Sequence, residues 1–179
     1  MRVFRSKKKR GVAIVGVVGI ATFAAVALAS PGTLFMPETL VTGNLANRVE
    51  ANTDQVKLQT KGPTDVRVQK IVFGPNGNSG WHHHPGVVIA TVASGEVTFT
   101  LGCKSTTYGP GLPAGAVFVE YGNTPGQASS VAGATAYATF VAPHADPPVF
   151  RIEDAGPPTC TPGGDDGDNE QSGDGHRRR

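Results

Sequence analysis

The stretch Gly-Trp-His-His-His-Pro-Gly at residues 80–86 holds the densest group of possible metal ligands in this 179-residue chain. It follows a loop rich in Gly and Asn and precedes the apolar run Val87–Ala93. In an extended segment, side chains two residues apart share a face, so His82 and His84 point to one side and His83 to the other. Two imidazoles on one face can hold a divalent metal ion if other residues complete the ligand set. A plain polar loop is the alternative.

Apolar and polar residues alternate on both sides of this stretch, which predicts β-strands. The predicted strands cover residues 56–61, 66–73, 87–93, 97–101, 116–120 and 135–141. The alternation slips at Gln69-Lys70, which we interpret as a β-bulge, and the continuous apolar run Val87–Ala93 predicts a strand buried on both faces. No segment after Ala29 combines a helical apolar period with caps. The sequence therefore predicts an all-β sandwich or small barrel.

The histidine stretch also resembles the first motif of the cupin superfamily, Gly-x5-His-x-His-x3,4-Glu-x6-Gly. His82, His84 and Gly95 stand at matching positions, and Pro113-Ala114-Gly115 stands near the place of Pro-x-Gly in the family's second motif. The resemblance is to type-2 cupins of exported bacterial proteins and covers residues 56–142. It implies an all-β fold, the small jelly-roll barrel of the cupins.

Two positions depart from the family pattern: Val88 replaces the Glu of the first motif, and Phe118 replaces the His of the second. Glu120 shares the predicted face of Phe118 and is a candidate third ligand beside His82 and His84. A solvated strand end is the alternative for Glu120. Two histidines and a carboxylate suit iron and other divalent ions. The expected cofactor is one divalent ion (iron, manganese, zinc or nickel), with a metal-free barrel as the alternative.

The other candidate ligands are assigned different roles. His83 is expected to face outward, and Trp81 is expected to pack at the end of the barrel. We expect His144 to lie in a loop and His176 to lie in the C-terminal tail.

The two ends of the chain differ from its middle. Six basic residues within the first ten precede Gly11–Ala29, nineteen residues without a charge. This pattern predicts a signal peptide or an uncleaved membrane anchor over residues 1–29, which places the remainder outside the cytoplasm, secreted or membrane-anchored. Residues 30–54 are predicted to be a linker and N-terminal strand segment, and residues 55–152 the cupin barrel. A Gly- and Asp-rich tail, residues 153–179, is predicted to be disordered.

Charge and cysteine content narrow the partners and the compartment. Residues 30–160 contain seven basic and nine acidic residues, so nucleic acid is not an expected partner. In an oxidising compartment Cys103 and Cys160 are expected to form one disulfide, with two free thiols as the alternative.

Three functions remain open on the sequence. The first is a binding module that holds a small molecule, a metal ion or both in the barrel. The second, implied by the resemblance, is a metal-dependent enzyme of the dioxygenase or isomerase kind that uses His82 and His84. The third is a structural barrel tethered to the cell envelope. A small-molecule ligand is the expected partner, and the resemblance also allows a homodimer.

Overall fold

The computed structural model describes residues 31–160, and these residues form an all-β structure. The strands are β1 (Thr33–Leu45), β2 (Glu50–Asn52), β3 (Lys57–Gln59), β4 (Thr64–Asn78), β5 (His82–His83), β6 (Val87–Gly95), β7 (Val97–Leu101), β8 (Lys104–Tyr108), β9 (Val117–Tyr121), β10 (Gly126–Ser130), β11 (Ala134–Pro143) and β12 (Ile152–Glu153). Within this range there is no helix that is long and apolar enough to span a membrane. The predicted signal peptide or anchor, residues 1–29, lies outside the described residues.

Ten strands form one antiparallel sheet that curls into a near-closed barrel. β4 runs through its middle, with β1 along one edge and β11 along the other, and β6 and β9 continue beyond β11. The far end of β4 pairs with β10, which also pairs with β5 and β7. β7 and β8 form a hairpin, and β12 adds to the free side of β5. The remaining two strands, β2 and β3, form a separate hairpin.

The barrel interior is apolar and incompletely filled. Aromatic rings pack in it, including Phe99 stacked on Phe118 with ring centroids 4.7 Å apart. Four alanines (Ala90, Ala128, Ala136 and Ala138) line a central cavity of about 140 Å³. Because an alanine side chain ends at its Cβ atom, these positions leave space that larger residues would fill. The strands thus enclose a cavity within their apolar core.

Two features of the predicted strands are corrected by the structure. β4 runs without a register shift against β11, and the register shift against β1 that lies opposite Gln69, between Thr39 and Val41, has its extra residue on β1. The slip at Gln69-Lys70 is therefore no bulge in β4. Strict alternation continues through it and turns Arg67 and Gln69 towards the cavity.

The apolar run that begins at Val87 is also not buried on both faces. Val88, Ala90 and Val92 are buried, whereas Val87 and Ile89 are 41% and 45% exposed. β6 therefore has one face in the core and one apolar face on the outside. A continuous apolar run does not distinguish these two arrangements, because its outer residues need not be covered.

The segments flanking the predicted barrel also contribute strands. β1 belongs to the segment predicted to be a linker and N-terminal strand segment, and it pairs with β4 along almost its whole length. β3 belongs to the predicted barrel region but lies in the separate hairpin with β2, with Leu58 exposed. At the other end β12 includes Glu153, and Asp154 bonds to His83. The first residues of the predicted tail thus belong to the folded structure, and residues 161–179 lie outside the described residues.

A disulfide attaches this C-terminal segment to the barrel. Cys103 in the turn between β7 and β8 is bonded to Cys160, with Cα atoms 5.8 Å apart. The pairing is the one expected from the sequence, and no free cysteine is found among the described residues.

Candidate metal centre

The histidine stretch turns into the barrel at a glycine. Gly80 has a φ of +71°, in the left-handed region that favours glycine, and its carbonyl accepts a hydrogen bond from Nδ1 of His82 at 2.9 Å. The two-residue strand β5 then pairs with β10 on one side and β12 on the other. This pairing fixes the backbone of the stretch. His82 and His84 consequently point into the barrel, and both are only 4% exposed.

Glu120 reaches the same point from β9, at the other end of the strand order from β5. On β9 its inner-face neighbour is Phe118, and across the strand pair it faces Val88 of β6. Glu120 Oε2 lies 3.3 Å from Nε2 of His84 and 3.8 Å from Nε2 of His82. One ligand atom from each of these three residues falls within 4.8 Å of the others. The three residues that the sequence singled out are thus brought together.

The three ligand atoms of this group are arranged to bind a cation. His84 Nδ1 donates to the carbonyl of Phe150, as His82 Nδ1 does to that of Gly80. With Nδ1 protonated, a neutral imidazole presents the lone pair of Nε2. Both lone pairs therefore face the carboxylate of Glu120, so three acceptors converge with no donor between them. Carbonyl hydrogen bonds to Nδ1 are also the usual way in which proteins orient metal-binding histidines.

Burial and charge favour the neutral form of His82. Desolvation is the main cause that lowers its pKa to about 4, and the positive charge of Arg151 adds to the effect. Arg151 is itself bound by the carboxylate of Glu153, whose pKa is lowered by that hydrogen bond. An imidazole that is neutral at physiological pH offers its Nε2 to a metal ion without competition from a proton.

Apolar side chains occupy the two positions at which this chain departs from the family's ligand motif. Val88 is 1% exposed and Phe118 is 5% exposed, and both belong to the core. These two positions therefore offer no further ligand atom to a metal ion at the three-residue group. A metal ion held here would keep open positions towards the cavity.

The other histidines lie elsewhere. Nδ1 of His83 is 3.0 Å from both carboxylate oxygens of Asp154, on the opposite side of the stretch from the metal-ligand group. His144 is bonded to Asp65 through Nδ1 at 2.9 Å. The expected outward direction of His83 and the loop position of His144 agree with these contacts.

An antiparallel barrel with a His-x-His pair at its inner wall and a glycine turn at Gly95 combines the architecture and the motif positions of one superfamily. The chain has a cupin fold. The positions that differ from the ligand set implied by the resemblance are Val88 and Phe118, and Glu120 on β9 brings a carboxylate next to the two histidines.

Comparisons with known proteins found similarities among solved structures alone. No family model matches this chain, and no curated protein matches it either. Among solved structures it is similar to SPY1581, a conserved protein of unknown function from Streptococcus pyogenes (17% identity, TM-score 0.44), over 62% of this chain and 76% of that one. It is also similar to Rru_A2000 from Rhodospirillum rubrum, a cupin-2 domain (12% identity, TM-score 0.44), over 65% of this chain and 68% of that one.

A third similar structure is salicylate 1,2-dioxygenase from Pseudoaminobacter salicylatoxidans, at 14% identity and a TM-score of 0.37. The match covers 41% of this chain and 19% of the dioxygenase. The similarity is therefore limited to part of each chain.

Sequence reasoning missed the residues that surround the three-residue group. In the segment before the predicted tail, Phe150 accepts the hydrogen bond from His84 through its carbonyl, and the guanidinium of Arg151 donates to the carbonyl of Ser79, just before the histidine stretch. Arg67 and Gln69 line the cavity from β4. The alternation of apolar and charged residues from Phe150 to Glu153 could have indicated Phe150 and Arg151. An alternation read without interruption through β4 could have indicated Arg67 and Gln69.

Proposed function

We propose that this cupin binds one divalent metal ion through His82, His84 and Glu120 and takes up a small molecule in the adjoining cavity. The observation that carries the proposal is the convergence of three buried acceptor atoms, two imidazole nitrogens and a carboxylate oxygen, within 4.8 Å. Acceptors this close repel one another unless a proton or a metal ion lies between them. Two histidines and one carboxylate form a recognised donor set for iron and related ions.

The cavity supports the second half of the proposal. It is lined mainly by aromatic and small apolar side chains, and the metal-ligand group forms part of its wall. A mostly apolar cavity with a few converging polar groups is the usual form of a small-molecule site. Because the three protein ligands leave coordination positions open, a molecule in the cavity can reach the metal ion directly.

Metal content tests this proposal. The full-length protein, purified without a histidine tag, is incubated with iron, manganese, zinc or nickel, freed of excess ion and analysed by mass spectrometry. We expect about one ion per chain, and we expect the His82→Ala/His84→Ala double variant and Glu120→Gln to lose it. His83→Gln is the matched control, because this neighbouring side chain faces Asp154 and should retain the metal. Metal far below one per chain in the unaltered protein would overturn the proposal.

A metal-dependent enzyme is the second candidate, and the open positions of a two-histidine, one-carboxylate site favour it. In that case the protein residues hold and orient the metal ion, the ion supplies Lewis-acid or redox chemistry, and the apolar wall excludes water. Binding of nitric oxide to the iron-loaded protein, followed by electron paramagnetic resonance, tests whether an exchangeable position exists. Failure to bind nitric oxide would contradict the oxygen-activating form of this candidate.

We propose further that the domain acts outside the cytoplasm. The charge-free segment Gly11–Ala29 after a basic start supports export, and a disulfide between Cys103 and Cys160 is typical of exported proteins. Fractionation of cells that produce the full-length chain, with mass determination of its N-terminus, distinguishes a cleaved, secreted form from an anchored one. Recovery of the reduced protein in the cytoplasm would overturn this assignment.

A further inference from the structure

The inner face of β4 carries two polar side chains among apolar ones. Arg67 and Gln69 come first on this face and Ile71 and Phe73 follow, and all four line the cavity. Arg67 is only half-buried and its hydrogen bond to Thr42 is exposed, so its guanidinium is open both to the cavity and to solvent. The contacts of Arg67 show whether the protein itself supplies a partner for its charge.

Most of the hydrogen-bonding capacity of Arg67 is unused. Its Nε donates to Thr42 Oγ1 at 3.3 Å, and its guanidinium lies 4.1 Å from the ring centroid of Phe150. Within residues 31–160 no carboxylate forms an ion pair with it, and the N–H groups of its two terminal nitrogens have no acceptor. These four N–H groups form the fork that binds a carboxylate in two parallel hydrogen bonds.

Arg151, the second arginine at the cavity, provides a comparison. Its guanidinium donates to the carboxylate of Glu153 and to the carbonyl of Ser79. The charge and the donors of Arg151 are thus satisfied by the protein. Arg67 is the arginine at the cavity wall whose terminal nitrogens remain available.

Phe150 connects Arg67 with the metal-ligand group. Its ring supports the guanidinium of Arg67, and its carbonyl accepts the hydrogen bond from His84. A ligand bound by Arg67 is consequently close to the histidines. The cavity of about 140 Å³ is of the size that holds a benzene-sized molecule.

From these contacts we infer that the ligand of the cavity is a small monocarboxylate with an apolar body, whose carboxylate binds the terminal nitrogens of Arg67. The apolar body occupies the space between the alanines and the aromatic rings. This inference deepens the proposed function, because it names the ligand class of the same cavity. Its test is nevertheless separable, since Arg67 is not one of the proposed metal ligands.

Calorimetric titration with two probes of equal size tests the inference. Benzoate and its neutral analogue benzamide are titrated into the full-length protein, both metal-free and zinc-loaded. A hydrogen bond to a charged group is stronger than one to a neutral group, so we expect benzoate to bind about tenfold more tightly or better. Arg67→Gln should abolish this preference in the metal-free form, where no zinc ion can attract the carboxylate, and leave the metal content unchanged. Arg48→Gln, which alters an exposed arginine paired with Glu50, is the matched control and should preserve it.

Each outcome decides one of the two proposals. Equal affinity for the probes, or no benzoate binding at millimolar concentration, overturns the inference even where metal binds normally. A preference for benzoate without any metal binding supports the inference and overturns the proposed metal site. Arg67→Lys keeps the charge without the fork and should retain part of the preference, which separates loss of the anion site from misfolding.

Discussion

The carbonyl oxygen of Phe150 accepts a hydrogen bond from Nδ1 of His84, a residue 66 positions earlier in the chain. The ring of Phe150 packs against Phe140 and contacts the guanidinium of Arg67. The C-terminal segment therefore orients a candidate metal ligand and supports the cation at the cavity wall. Residues beyond the last long strand are part of the site.

Replacing Phe150 by alanine should destabilise the protein strongly. The side chain is 5% exposed, and truncating a buried phenylalanine typically costs about 3–5 kcal/mol of unfolding free energy. Urea denaturation measures the change. The neighbouring Val149→Ala is the control, because Val149 is 42% exposed and should change stability by less than about 0.5 kcal/mol. Similar effects of the two variants would contradict the assigned packing.

Val88→Glu should make stability more dependent on metal. Val88 lies directly across from Glu120 on the adjacent strand and is buried. A second carboxylate there meets a like charge away from water, so the metal-free variant should lose about 3–5 kcal/mol. A divalent ion relieves this repulsion. Adding zinc should raise the melting temperature of Val88→Glu more than that of the neutral control Val88→Gln. Equal rises would contradict the closeness of position 88 to Glu120.

Asp65 should make stability depend on pH. The hydrogen bond from His144 is the main cause that lowers the Asp65 pKa below its ordinary value of 3.8, and the backbone N–H of Ala145 contributes further. A lowered folded-state pKa stabilises the protein above the unfolded value, and this stabilisation is lost as pH falls through the folded value. Asp65→Asn should therefore be less stable than the unaltered protein at pH 6–7, with a smaller difference below about pH 4.

Urea denaturation across this pH range measures the effect. Asp54→Asn, a change at an exposed aspartate, is the control. Its stability difference from the unaltered protein should not become smaller as the pH falls. A difference between Asp65→Asn and the unaltered protein that stays constant from pH 7 to pH 3 would show that the carboxylate charge is not involved.

Gly86, at the end of the histidine stretch, should not tolerate alanine. A Cβ atom built there lies 2.0 Å from the carbonyl oxygen of Val141 and 2.7 Å from the Cα of Ala142. These are backbone atoms of β11, so relief requires movement of the strand, and a loss of about 1–3 kcal/mol is expected. Gly62→Ala is the control, because nothing lies within 4 Å of its added Cβ. A neutral Gly86→Ala would contradict the close approach to β11.

The metal-ligand group was predictable because it depends on short-range geometry. Side chains two residues apart on a strand share a face whatever the rest of the fold, which places His82 with His84 and Glu120 with Phe118. That the two pairs meet followed from the family resemblance. The structure adds the distances that make them one group.

The rest of the cavity wall was not predictable from the sequence, because it depends on contacts between distant segments. The slip in alternation at Gln69-Lys70 suggested a β-bulge, and only the pairing of β4 with β1 and β11 shows that Arg67 and Gln69 face the cavity. The contact between Phe150 and His84 joins residues too far apart for any periodic pattern to reveal. A local hydrophobic pattern predicts that polar residues face solvent, so it gives the wrong direction for polar residues on an inner face.

The disulfide between Cys103 and Cys160 closes residues 103–160 into a covalent ring. Glu120 lies within this ring, whereas His82 and His84 precede it. A single proteolytic cut in a loop of the ring, for instance near Gly111, therefore releases no fragment. The nicked protein keeps the carboxylate donor on the same molecule as both histidines and separates into two pieces only after reduction.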